Sequence, residues 1–179
     1  MTENMLKLNE YKTEFLLVSG EHQKLTKFDL QVDGITIENS KSVQSLGVTF
    51  DTNLSMSDHI NSICRSSYYH LYKISNICRY LSFDATERRI HDLISWRLDF
   101  CNSLLYGLTK METSKLQRIQ NIAARILTDT RRWDHIRLIL MSPHWLPVKV
   151  RIVFKILTLV YKCLHESAPS LSFWVVWDL

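Results

Sequence analysis

Six cationic side chains in the second half of the chain have the types and spacing to hold phosphate. Arg118 and Arg125 are seven residues apart and share one edge of a helix-forming run; Arg131 and Arg132 follow it, then Lys149 and Arg151. Such side chains grip phosphate by charge-assisted hydrogen bonds that are strong, salt-sensitive and indifferent to base sequence. The competing reading is structural, a solvated arginine-rich surface or pairing between helices. Arg125 in particular could pair with Asp99, because an aspartate carried in an apolar helical run needs a partner. Covalent chemistry is poorly provided for: no Asp-Asp pair occurs, and Asp51, Asp58 and Asp99 stand in unrelated settings. The seven histidines have no ligand spacing. Cys64, Cys78, Cys101 and Cys163 are scattered through apolar helical contexts without a Cys-x-x-Cys pair, the pattern of reduced core cysteines rather than a metal site. No acid, base and nucleophile assemble from spacing alone.

The elements that must carry these cations are helices. The run from Asp84 to Leu105 opens with Asp84 and Glu87 at capping-box spacing, and Gly107 supplies a stop. A second helix opens near Thr109 and Glu112; Leu116, Ile119, Ile122, Ala123, Ile126 and Leu127 form its apolar stripe. Upstream, Ser55 with Asp58 predicts another start, followed by a narrow seam of Ile60, Ile63, Ser67, Leu71, Ile74, Cys78 and Leu81. Downstream, Asp134 is expected to cap a short helix ending near Ser142-Pro143. Pro147 suits the first turn of a last helix, Val148 to Leu164, which is apolar nearly all round and therefore expected at the centre. Trp133 and Trp145 are expected in the core, with base stacking as the functional alternative.

Before Ser55 the pattern changes. Met1 to Glu10 reads as polar, helical or frayed, and Glu14 to Val18 as a short, largely buried strand. Phe28 to Glu38 reads as a hairpin turning at Asp33-Gly34. Val43 to Phe50 reads as a further strand in which Gly47 marks a bulge or a close backbone approach. The expected class is α+β, mainly α: a β-rich part over 1–54, a helical bundle over 55–169 and a tail over 170–179. Four glycines and three prolines in 179 residues favour long helices. Hydrophobic residues at 46% and charged residues at 22% are ordinary for a soluble globular chain. The net charge of +4 hides an asymmetry, −4 over residues 1–59 against +10 over residues 60–165. A basic helical part of this kind suits a polyanionic partner. No signal peptide opens the chain, and the apolar stretch from Ile152 to Leu164 is interrupted by Lys155 and Lys162 and too short to span a bilayer. A cytoplasmic or nuclear location without membrane contact is expected.

These residues carry a resemblance. Leu8-Asn9 with Lys12-Thr13-Glu14, Leu46-Gly47-Val48 with Phe50-Asp51, and Leu54 with His59-Ile60 come first. Arg97 to Asn102, Leu104-Leu105 with Gly107-Leu108, and Leu116-Gln117 with Gln120-Asn121 and Ala123-Ala124-Arg125 follow. His144-Trp145-Leu146-Pro147-Val148 with Arg151 completes the series. In order and spacing the chain resembles the downstream part of a reverse transcriptase of non-LTR (LINE-type, jockey-like) retrotransposons, up to about Pro169. The resemblance implies the last strands of a polymerase palm, then a helical thumb and the connection beyond it. Lys12 and Thr13 correspond to the motif after the catalytic aspartates, where Lys12 would lie near the incoming phosphate; in this chain a solvated lysine is the competing reading. Leu46, Gly47 and Val48 correspond to the primer grip. The family's RNA-directed DNA polymerase activity needs carboxylates holding two Mg²⁺ ions, and these would precede Met1. The chain alone is therefore expected to be silent in catalysis, without a cofactor of its own. Its expected partners are an RNA or DNA primer–template, held weakly and non-specifically, and the palm and fingers it lacks. A helical protein–protein interaction module without a nucleic-acid role is the alternative.

Overall fold

The computed structural model describes residues 9, 12–18, 30–32, 35–131, 133–141 and 143–165. It is mainly helical, with two short antiparallel hairpins ahead of the helices. The chain divides into two compact units, Met1–His59 and Ile60–Leu179.

In the first unit β1 (Leu30–Val32) pairs antiparallel with β2 (Ile35–Ile37), Leu30 opposite Ile37. The expected hairpin is present; its Asp33-Gly34 turn lies outside the described residues, as does the helix expected over Met1 to Glu10. The stretch from Val43 to Phe50, read as one strand, is a second hairpin of β3 (Ser42–Ser45) and β4 (Val48–Asp51), with Ser45 opposite Val48. Leu46 and Gly47 turn the chain at φ 48° and 83°. Two consecutive positive φ values give the turn whose twist matches paired strands, and glycine enters that region without a Cβ clash. Gly47 is thus the corner and not a bulge. Glu14 to Val18 is not a strand either. Phe15 and Asn39 make one isolated bridge, and the Asn39 Oδ1 accepts from the Leu17 amide at 3.1 Å in place of a continued ladder.

Asp51 starts the helical part. Its carboxylate accepts from the Ser55 amide at 3.1 Å, the Ser55 hydroxyl at 2.8 Å and the Met56 amide at 2.9 Å. The Ser55 Oγ in turn accepts from the Ser57 amide, where α1 (Ser57–Ile77) begins. The start is organised by Asp51 and Ser55, rather than by the expected Ser55–Asp58 box.

In the second unit the α1 seam is buried at Ile60, Ile63, Ser67, Leu71 and Ile74, as its spacing predicts. The next run is capped by Ser82, whose Oγ accepts from the Ala85 amide, not by Asp84. It is also not one helix. α2 (Phe83–Ile90) widens into a single π-helical turn over His91–Ser95, continues as α3 (Trp96–Asp99) and breaks at Cys101, which sits at φ 49°. A 3₁₀ turn over Asn102–Leu105 and Gly107 at φ 83° lead into α4 (Lys110–Thr128). There the Thr109 hydroxyl accepts from the Glu112 amide as expected. α5 (Ile136–Met141) and α6 (Val148–Leu164) follow. Pro147 is the residue just before α6 rather than in its first turn.

The central helix is α4, which meets α2, α5 and α6. Leu116, Ile119, Gln120, Ala123, Ala124 and Leu127 are buried along it. Small Ala124 admits Ile139, Leu140, Ile136 and Trp145 against the helix backbone. α6, expected at the centre, buries only Val148, Ile152 and Cys163. A helix apolar all round has more apolar surface than one packed face can cover, and here the remainder meets solvent.

Candidate nucleic-acid interface

A polar clamp fixes how α4 presents α6. The Gln117 Oε1 accepts from the Val148 amide at 2.9 Å, satisfying one of the free donors that open α6. The Gln117 Nε2 donates to the Gln120 Oε1 at 2.9 Å and to the Asn121 Oδ1 at 2.8 Å. The Gln120 Nε2 donates to the Leu146 carbonyl at 2.8 Å. Farther along α6, the Arg151 guanidinium meets the Asp99 carboxylate at 2.5 Å. An aspartate needing a partner was legible in the sequence, but the partner is Arg151, not Arg125. Burial pushes the Asp99 carboxyl above its ordinary range, and the Arg151 charge opposes the shift without cancelling it.

The six predicted cations therefore have different fates. Arg118 is exposed on the outer side of α4, and among the described residues it has no hydrogen-bond or ion-pair partner. The Arg125 guanidinium donates to the Arg131 carbonyl and, at 2.9 Å, to the Asp134 carbonyl, so it ties down the loop leaving α4. Arg131 has its amide on the Asp134 carboxylate at 2.9 Å, with the residue itself exposed. Asp134 closes this loop in place of its expected role at the start of α5. Lys149 is exposed and borders a depression of about 270 Å³ beside Tyr106, Gly107 and Val153. Arg151 is held by Asp99, and Arg132 lies outside the described residues. Arg118, Arg131 and Lys149 remain open to a solvent-borne anion.

Exposed Arg137 on α5 was not singled out in the sequence. With Gln117, Asn121 and Trp145 it lines an apolar cavity of about 510 Å³. On α5 it sits three residues before the buried Leu140, one helical step along the same side, and the two line this cavity together. Trp133, expected in the core, is 86% exposed. Trp145 is partly buried against the α4–α5 core and lies edge-on to His91, ring centroids 5.7 Å apart. Cys101, expected inside, is exposed, and all four cysteines are free. Burial raises the Cys64 thiol above its ordinary range.

In the first unit Leu46 points outward, 90% exposed, Gly47 makes the corner and Val48 is buried. The three do not form one surface. Lys12 is exposed, and the Thr13 hydroxyl donates to the Asn9 carbonyl at 2.9 Å. The Nδ1 of His59, a buried residue, accepts from the Thr49 amide at 3.4 Å, and burial holds the imidazole below its ordinary range. Asp51 is occupied by Ser55 and Met56, Asp99 by Arg151, and no group of three His, Cys, Asp or Glu gathers among the described residues. Among them, too, no helix is long and apolar enough to cross a membrane. No family model, curated protein or solved structure matches this chain.

Proposed function

We propose that the helical unit holds the phosphate backbone of RNA or DNA without reading its sequence. On this reading the chain is the palm-end and thumb part of a non-LTR reverse transcriptase, separated from the carboxylates that do the chemistry. One observation carries it: residues 60–165 hold 17 basic and 7 acidic side chains. Among the described residues only Lys115 and Arg151 of these cations form an ion pair. Every charged residue of α6 is basic, and Arg118, Arg131 and Lys149 stand exposed. The surplus is thus offered to solvent rather than neutralised inside the fold.

Anisotropy of a labelled 20-nucleotide strand, titrated with the whole chain at 50 and 200 mM salt, tests this. Three phosphate contacts on a single strand imply roughly a twenty-fold loss of affinity between those concentrations. Arg118→Ala and Lys149→Ala should each lower the salt slope by about one, with no change in base preference. Absence of binding at 50 mM, or binding indifferent to salt, overturns the proposal. The exposed apolar side of α6 favours a second reading, a protein-interaction module, whose binding would ignore nucleic acid.

A further inference from the structure

The outer side of α1 interleaves exposed rings with unpaired cations. Opposite the buried seam of Ile63, Ser67, Leu71 and Ile74, the helix shows Arg65, Tyr69, Tyr72 and Lys73 to solvent. The 3₁₀ turn that follows, Cys78–Tyr80, adds exposed Arg79 and Tyr80. Tyr69, Tyr72 and Tyr80 are 55%, 68% and 76% exposed. Rings in those places bury little on folding, and tyrosine is a weaker helix former than alanine or leucine, so the stability of α1 does not account for them. Acids do not account for the cations either: none occurs between Asp58 and Asp84. Two of the cations lie against rings instead. The Lys73 Nζ is 4.5 Å from the centroid of Tyr69, and the Arg79 guanidinium is 4.8 Å from that of Tyr80. At exposed sites such contacts are weak, and a phosphate can draw the cation away.

We propose that this face binds an unpaired strand of RNA or DNA, with bases stacked on the tyrosines and phosphates held by Arg65, Lys73 and Arg79. The ligand class rests on the phosphate reading, but none of these residues is shared with it. Three observations favour a single strand. First, Arg65 and Lys73 are each four residues from Tyr69, about 6 Å to either side along the axis. A base lying on that ring therefore has a cation near the phosphate on each side of its sugar. Second, Tyr69 and Tyr72 are separated by a rise of about 4.5 Å, comparable with the step of about 3.4 Å between bases of one strand. Third, the charge around the rings has one sign. His70, edge-on to Tyr69 with centroids 5.3 Å apart, is held below its ordinary range by burial first, then by Arg97 and Lys73. A duplex keeps its base faces covered and cannot use the rings. An acidic peptide would meet the cations but bring no flat groups to the tyrosines. A membrane-surface helix needs an apolar side, and Ile77 is the one exposed large aliphatic residue of α1.

Anisotropy of a labelled 20-nucleotide oligothymidylate, compared with an abasic strand of equal length, tests the proposal on the whole chain. Both strands carry the same phosphates, and only one carries bases. The oligothymidylate should bind at least about fivefold more tightly, the contribution of one stacked base. Tyr72→Leu should remove about that factor on the oligothymidylate, leaving the abasic strand, the salt slope and the circular dichroism unchanged. Tyr72→Phe keeps the ring and should bind like the parent. The proposal is overturned if the two strands bind equally, if Tyr72→Leu binds like the parent, or if Tyr72→Phe is as weak as Tyr72→Leu. It is overturned equally if polyglutamate or anionic vesicles displace the strand as well as unlabelled oligothymidylate does, charge for charge. Equal, salt-dependent binding of both strands would sink this site and leave the phosphate reading standing. Base-dependent binding that ignores Arg118→Ala and Lys149→Ala would do the reverse, and no binding at all would end both.

Discussion

Gln120 is the most informative residue to perturb. It is 1% exposed on the central helix, and its amide makes two bonds, accepting from Gln117 and donating to the Leu146 carbonyl. Gln120→Leu keeps the volume and helix propensity but removes both bonds. The Leu146 carbonyl and one Gln117 donor position then lose their partner. Each buried polar group left unsatisfied costs about 1–3 kcal/mol. Gln117 is only partly buried and keeps Asn121, and Leu146 is itself 46% exposed, so both shares lie at the low end. The added apolar surface offsets part of the loss, leaving about 1–2 kcal/mol and a fall in Tm of roughly 2–8 °C. Urea unfolding followed by the helical circular dichroism signal measures it. Gln117→Ala loosens the same clamp by freeing the Val148 amide, so the double variant should be less destabilised than the sum, with a coupling of at least about 0.5 kcal/mol. A loss under 0.5 kcal/mol for Gln120→Leu, or strict additivity with Gln117→Ala, would refute the idea that this network joins α4 to α6.

Three further outcomes follow from other buried groups. Ser67 is fully buried in the α1 seam, and among the described residues its hydroxyl finds no partner; Ser67→Ala should leave stability unchanged or raise it by up to about 1 kcal/mol, read by thermal unfolding. His59 has a folded pKa below its unfolded value, so its contribution is present above about pH 6.5 and is lost as the pH falls through the folded pKa. Hydrogen exchange at the Thr49 amide should therefore accelerate on acidification beyond the intrinsic rate, and His59→Gln should abolish that excess. Burial acts to raise Asp51, but the Ser55 hydroxyl and the Met56 and Ser55 amides outweigh it and hold the carboxyl below its ordinary range. Its contribution is thus present above pH 3.8 and fades as the pH falls through the folded pKa. Asp51→Ala should cost about 1–2 kcal/mol at neutral pH and less in acid, measured by urea midpoints at both.

Several polar residues singled out in the sequence have a physical role in this fold. Gln117 meets Val148, Gln120 meets Leu146, Asn121 braces Gln117, and Asp99 meets Arg151. Apart from Asn121, they are scattered along the sequence because each is half of a contact between segments far apart in it.

The sequence by itself determined the elements whose signals are local. Thr109 with Glu112 opens α4, the three- and four-residue steps of α1 bury Ile60 to Ile74, and the alternation around residues 33 and 34 makes the first hairpin. Local chemistry could not say which helix lies inside. α6 is the more apolar, yet α4 is central, because its alanines admit close neighbours and its glutamines can satisfy one another once covered. The tertiary structure alone decided which cations stay free. Arg125 and Arg151 look in sequence like Arg118, and only the path of the loop after α4 and the approach of the Asp99 carboxylate from a distant segment give them partners within the fold. It also decided that an apolar helix keeps an open side, since burial is a property of neighbours and not of composition.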